Sequence, residues 1–388
     1  MRKFFQKIHL WLSIPFGILI TIICLSGAIL VFEQEITRAL NPHIYQTESK
    51  SQSAPLPPSE LAERIMQQTG NSLTLTSLEF SGNENDVVFA GFKEFEKKKL
   101  SVNPYTGEVN GWTVSYPFFQ TMKKLHRYLM NPPVSKGKSS VGKVIVGIST
   151  IVMAIIIISG IVIWVPRTLK AAKNRLKVSV NKGWRRFWYD SHVSIGIYTS
   201  LFLLVMALTG LTWSFRWYRN FAYGLFEGNE TKTEVKAGHA GNGGHASNGK
   251  QAGNGENSGK GKKNVSLDFK AWDNVLAELQ KEYPRYKSIT LGNKDAKVTP
   301  ASISHQRKTD NVSFDLQSGK IKHIDKYSER SISTKLKGLF YSFHTGSWGG
   351  WTTKIIYFLS ALAGGIFPLT GYYLWLKKKR YFSKAGKR

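Results

Sequence analysis

Apolar residues run almost unbroken through four stretches, 8–32, 141–165, 193–215 and 355–376. Each is long enough to cross about 30 Å of hydrocarbon, which takes about 20 helical residues. None has a charged side chain in its middle, and Trp11, Trp164, Trp213, Trp217, Trp351 and Trp375 crowd their ends, as in the aromatic belts of membrane helices. Between the stretches the period changes. Leu61, Ala62, Ile65 and Met66 follow Ser59 at helical spacing, and Trp272, Val275, Leu276 and Leu279 share one helix face. Short strand-like runs come after each, with turns at Asn103-Pro104-Tyr105-Thr106-Gly107 and Asp315-Leu316-Gln317-Ser318-Gly319. Residues 228–264 are Gly, Asn, Ser and Lys with almost nothing apolar, a composition that predicts a flexible linker.

The pattern predicts a mainly α membrane fold: a bundle of four transmembrane helices, two α+β domains on one side, and an internal two-fold repeat. The expected order is helix 1 at 1–33, a first domain at 34–120, an interfacial segment at 121–140 and helix 2 at 141–166. A loop at 167–191 leads to helix 3 at 192–216. The second domain, at 217–340, carries the linker, and an interfacial segment at 341–354 leads to helix 4 at 355–377 and a tail at 378–388.

Charge orients this order. The net charge is +29, which by itself suggests nucleic acid. The basic residues, however, cluster at Arg2–Lys7, between helices 2 and 3, and in the tail, with Asp190 as the only acid among them. That is the positive-inside pattern, and no nucleic-acid partner is expected. Both termini then lie in the cytoplasm and both domains outside the inner membrane. The first stretch exceeds a signal-peptide core of about 7–15 residues and lacks an A-x-A site, so it reads as an uncleaved anchor. Cys24, the single cysteine, offers neither a disulfide framework nor a thiolate metal site.

The chain repeats itself. His9 stands seventeen positions before Ser26-Gly27, and His192 seventeen before Thr209-Gly210; the second and fourth stretches end near Ser159-Gly160 and Thr370-Gly371. These small pairs leave room for close helix contact or for flat macrocycles. His126 precedes helix 2 and His344 precedes helix 4. The topology therefore puts His9 with His192 at the inner face and His126 with His344 at the outer face. A single interfacial histidine is ordinarily just hydrogen-bonded or snorkelling. Four at repeat-related places suit two six-coordinate haems, each gripped by two imidazoles in a helical bundle. His43 is the substitute ligand, while His239, His245, His305 and His323 read as linker or surface residues. There is no G-x-S-x-G elbow, no H-E-x-x-H and no Gly-rich phosphate loop, and the chain has no nicotinamide or flavin domain of its own.

Lys7-Ile8-His9-Leu10, Leu125-His126-Arg127, Trp164-Val165-Pro166-Arg167, Ser191-His192 and Phe343-His344-Thr345-Gly346 resemble the PepSY-associated transmembrane helix family, and the turns at 103–108 and 315–320 look like PepSY domains. The resemblance implies a bis-haem oxidoreductase with two haem b groups on His9, His192, His126 and His344. Such a protein passes electrons from a cytoplasmic or quinol-side donor to an external ferric siderophore or similar Fe(III) chelate, releasing Fe(II) for iron uptake. Arg127 is the nearest basic residue for attracting an anionic chelate. The rival expectation is a non-redox membrane protein whose PepSY-like domains bind or inhibit a peptidase or another envelope partner.

Overall fold

The computed structural model describes residues 1–47, 54–135, 138–226, 268–301 and 308–385. The predicted linker 228–264, with His239 and His245, lies outside the described residues, as does His305.

In chain order the helices are α1 (Arg2–Leu30), α2 (Glu33–Leu40), α3 (Pro42–Tyr45), α4 (Pro58–Gln68), α5 (Pro117–Tyr128), α6 (Val141–Trp164), α7 (Leu169–Arg175), α8 (Trp184–Ser214), α9 (Arg216–Gly224), α10 (Phe269–Glu282), α11 (Ile332–Thr345) and α12 (Gly350–Ala385). Among the described residues four helices are long and apolar enough to span a membrane: α1, α6, α8 and the helix ending at Lys378. α1 packs against α6 and α12, and α8 packs against the same two. The helices turn their small and hydroxyl residues inward. In α6, Gly142, Val146, Ser149, Met153 and Ser159 are buried, while Ile145, Ile148, Ile155 and Ile158 stay exposed. Without a hydrophobic drive between spans, close packing favours this arrangement, and large aliphatic side chains are left to face lipid. The buried hydroxyls of Ser26, Ser159, Thr209 and Thr370 each donate to a carbonyl three or four residues earlier in their own helix, so none enters the membrane level unpaired.

The two segments expected as separate domains form one sheet. Its strands are β1 (Leu75–Ser81), β2 (Val88–Phe92), β3 (Lys99–Val102), β4 (Val109–Trp112), β5 (Tyr286–Gly292), β6 (Ala296–Pro300), β7 (Asp310–Phe314) and β8 (Ile321–Asp325). Their order is β4-β3-β2-β1-β5-β6-β7-β8, antiparallel throughout. The seam is β1 against β5, with Leu78 opposite Leu291 and Phe80 opposite Ile289. Apart, each half would expose an apolar strand edge, a template for aggregation; joined, each covers the other's edge. Helices α4 and α10 pack together and share one core with both half-sheets: Leu61, Ile65, Leu78, Trp272, Val275, Leu279 and Leu291 are almost wholly buried. The Asp273 carboxylate of α10 accepts from the Ser59 backbone N–H at 2.8 Å and its hydroxyl at 2.5 Å, so one half caps a helix of the other.

Each half keeps the expected turn. Asn103 Oδ1 accepts from the N–H of Tyr105 at 2.9 Å, and Asp315 Oδ1 from those of Gln317 at 3.2 Å and Ser318 at 3.1 Å. Four residues on, Gly107 and Gly319 sit at φ +73° and +72°, a conformation that glycine adopts without strain.

The seam has a direct test. Glu79 and Thr290 face each other across it, within the Cα separation of about 4.4–6.8 Å that a disulfide accepts. In a Cys24→Ser background, Glu79→Cys with Thr290→Cys should cross-link on oxidation, read as a mobility shift on non-reducing gels. Two independent domains would give no cross-link.

Candidate functional site

The expected histidine pairs meet. The ring centres of His9 and His192 are 6.3 Å apart at 82°, and those of His126 and His344 are 6.1 Å apart at 48°. His9 lies on α1 and His192 on α8; His126 comes from α5 and His344 from α11. On α1 the level of His9 and the level of Gly27, which lies under His126, are 18 residues apart, or about 27 Å of helix rise. The two pairs are therefore separate sites.

Every ring is seated on a helix other than its own. His9 Nδ1–H donates to the Ile156 carbonyl at 3.0 Å and lies 3.1 Å from Ser159 Oγ on α6. His126 Nδ1–H donates to the Ile23 carbonyl of α1 at 2.8 Å. His344 Nδ1–H donates to Met206 of α8 at 2.9 Å, with Thr209 Oγ1 at 3.3 Å. His192 Nδ1–H donates to Thr370 Oγ1 of α12 at 2.8 Å, a hydroxyl whose own proton goes to the Phe367 carbonyl. A carbonyl accepts and cannot donate, so these partners place the ring proton on Nδ1 and leave the Nε2 lone pair free. Among the described residues no hydrogen bond reaches Nε2 of any of the four.

Three of the four glycines in the hydroxyl–glycine pairs make seats. A Cβ at Gly27 would stand 2.8 Å from His126 Cε1, one at Gly210 3.0 Å from His344 Cε1, and one at Gly160 3.3 Å from His9 Cε1; at Gly371 nothing lies within 4 Å. Spacing in the sequence marks these pairs but does not disclose that they receive imidazoles. The missing signal is three-dimensional, because each histidine uses the pair of another helix.

Around His9 and His192 the four spans enclose a cavity of about 850 Å³, within the roughly 300–1,000 Å³ typical of cofactor sites. Its wall is apolar, with Ile20, Met153, Ile157, Leu203 and Phe367, and its mouth is basic, with Arg2, Arg175, Lys182, Arg185 and Lys378. Phe367 meets His192 edge-on at 5.3 Å. Asp190, buried at this mouth, accepts from Arg186 Nε at 2.8 Å and from the Ser179 N–H at 3.1 Å, tying the loop before α8 to the helix. At the other pair, Trp213 packs on His344 at 5.2 Å.

A second cavity, of about 670 Å³, lies where the sheet meets the spans and is lined by Glu35, Arg38, Lys287, Trp351 and Lys354. His43 is exposed on α3, and His323 is exposed on β8. Arg127 is exposed one residue beyond His126. No cluster of three or more His, Cys, Asp or Glu side chains that could hold a bare metal ion occurs among the described residues.

The family model for the PepSY-associated TM region matches residues 6–378. No curated protein matches the sequence.

The seats make a testable contrast. Gly27→Ala and Gly210→Ala drive a methyl into an imidazole and should each cost about 1–3 kcal/mol. Gly371→Ala meets open space and should be neutral, or stabilising by about 0.5–1 kcal/mol as in any helix interior. Thermal unfolding in detergent ranks the three; equal effects would mean that the glycines serve only helix flexibility.

Proposed function

The chain belongs to the PepSY-associated transmembrane family, and from that premise we propose that it is a transmembrane bis-haem electron-transfer protein. In this reading haem b binds between His9 and His192, and a second between His126 and His344. Electrons enter from the cytoplasmic or quinol side and leave to an external ferric chelate, such as a ferric siderophore. The four spans act as a bundle with a two-fold internal repeat, with both termini on the cytoplasmic side of the inner membrane.

The observation that carries this reading is the spacing of the imidazoles with their nitrogens already sorted. Two histidines that held one metal between them through Nε2, at roughly 2 Å each, would have ring centres roughly 6 Å apart. The observed separations are 6.3 and 6.1 Å. Two imidazoles are too few ligands for a bare transition-metal ion, so each pair would hold a metal only in a group that brings further ligands of its own, as a haem would. The apolar wall and basic mouth of the larger cavity match a flat apolar ring with carboxylates on one edge.

Bound there, the haems would supply reversible one-electron Fe(III)/Fe(II) chemistry at two depths of the membrane. The residues of the chain do the rest. Nδ1–H donation to Ile156, Ile23, Met206 and Thr370 fixes each ring and raises its basicity toward iron. The helix walls exclude water, and Arg2, Arg175 and Arg185 balance carboxylates at the mouth. On the outer side the second cavity has Arg38 paired with Asp86 and Lys354 with Glu35, which leaves Lys287 as the cation that would meet an anionic chelate.

Purified protein should show the visible spectrum of six-coordinate haem at two haems per chain. His9→Ala and His192→Ala should each remove the same haem, and His126→Ala and His344→Ala the other, leaving one haem per chain in every case. Losing either should stop chelate reduction fed from inside. Losing only the inner one should leave the outer haem open to an added external reductant. A wild type without haem would end this reading in favour of a non-redox envelope protein; losses paired across the two sites would keep the haems and discard the ligand pairs. In a Cys24→Ser background, Gly183→Cys should be labelled by an impermeant maleimide only in inverted vesicles and Lys97→Cys only in intact cells. The reverse would overturn the orientation.

A further inference from the structure

Lys143 and Lys354 occupy matching places. Each stands sixteen residues before a hydroxyl–glycine pair, Ser159-Gly160 or Thr370-Gly371, and each opens a spanning helix at its sheet-side end. Their surroundings differ. Lys354 is only 13% exposed and is ion-paired with Glu35 of α2, the short helix that follows α1. The short helix that follows α8 is α9, and it has no acid; in place of a carboxylate it brings Arg219.

Three elements converge on Lys143. A Cβ at Gly142 would fall 1.8 Å from the Tyr128 carbonyl, so the start of α6 abuts the end of α5; one at Gly147 would fall 2.6 Å from the Phe215 ring, so α6 also abuts the entry to α9. The charges of Arg127 on α5 and Arg219 on α9 both bear on the Lys143 ammonium. Arg127 lies over the ring of its neighbour Tyr128 at 5.1 Å, and among the described residues none of the three cations has a carboxylate partner. Three other cations near this boundary do have carboxylate partners: Lys123 with Glu33, Arg38 with Asp86, Lys354 with Glu35. The positive end of the α6 dipole adds to the unbalanced charge.

Beside the trio, α9 turns Trp217, Phe221 and Leu225 outward, exposed by 62, 59 and 66%. Its buried residue, Ala222, faces the protein. An amphipathic helix with such a face, at the end of a spanning helix and next to cations, lies in the headgroup layer of a bilayer.

We propose that Arg127, Lys143 and Arg219 form a binding site for the phosphate of an anionic phospholipid, whose acyl chains lie along the outward face of α9. The lipid supplies the countercharge that Glu35 supplies in the other half. Through Arg127 it also braces α5, the helix that presents His126. The proposal requires that the helices span a bilayer but does not depend on haem.

The test uses the full chain in phosphatidylcholine nanodiscs, titrated with phosphatidylglycerol, with lipid retention read by native mass spectrometry and stability by thermal unfolding. Phosphatidylglycerol should be retained and should raise the wild-type melting temperature, since a ligand of the native state stabilises it. Lys143→Gln and Arg127→Gln should each weaken retention about fivefold, and Lys97→Gln, on a distant loop, should not. Arg219→Glu gives Lys143 a carboxylate; it should melt no lower than wild type in phosphatidylcholine alone and should lose the response to phosphatidylglycerol, which separates lost binding from lost folding. An undiminished response in Arg219→Glu would overturn the site. Equal stabilisation by inorganic phosphate without anionic lipid would overturn the lipid assignment.

Discussion

A histidine held between helices, away from water, must put its Nδ1 proton somewhere. A helix is a poor host, because its carbonyls already accept from N–H groups within the same helix. A carbonyl has a second lone pair, however, and becomes reachable where the neighbouring side chains are small. The hydroxyl–glycine pairs provide that access: at Gly27, Gly160 and Gly210 the glycine lets the ring approach, and in all four the acceptor is the hydroxyl or the carbonyl it caps. Because each ring uses the acceptor of another helix, the four hydrogen bonds also bind α1 to α6, α5 to α1, α8 to α12 and α11 to α8. The spans and the ring orientations are one problem with one solution.

The charges follow a second constraint, the cost of leaving like charges together at a low-dielectric boundary. The basic residues at the mouth of the larger cavity have one acid among them, Asp190, and that acid fastens a loop. On the sheet side the acids are shared unequally between the halves. Glu33 pairs with Lys123 and Glu35 with Lys354, whereas among the described residues no carboxylate pairs with Arg127, Lys143 or Arg219. The carboxylate beside Lys354 and the arginine near Lys143 are where these two helix starts differ in chemistry.

The spans, the histidine pairs and both glycine turns were legible in the sequence, because each is written in local spacing. Seventeen residues from His9 to Ser26, or four from Asn103 to Gly107, need no knowledge of the rest of the chain. The β1–β5 seam was not legible. Leu78 meets Leu291 across 213 positions, and each half taken alone reads as a complete small domain, which is why two were expected. The seats were half legible: Ser26-Gly27 and its counterparts stand out, but their occupants belong to other helices. Nor does spacing reveal that Lys354 is neutralised while Lys143 is not, since only folding decides that Glu35 meets the one lysine and Arg219 the other.

The seam has a consequence for how the protein is made. Strand β1 is finished at Ser81 and its partner begins at Tyr286, about 200 residues later, or about 10–40 s of synthesis at roughly 5–20 residues per second. Throughout that interval the nascent first half carries Leu78 and Phe80 on a strand paired with β2 on one side and open on the other, beside spans already entering the membrane. The vulnerable moment in the life of this molecule is therefore its birth, when a chaperone or a neighbouring nascent copy has first access to the edge that β5 later closes.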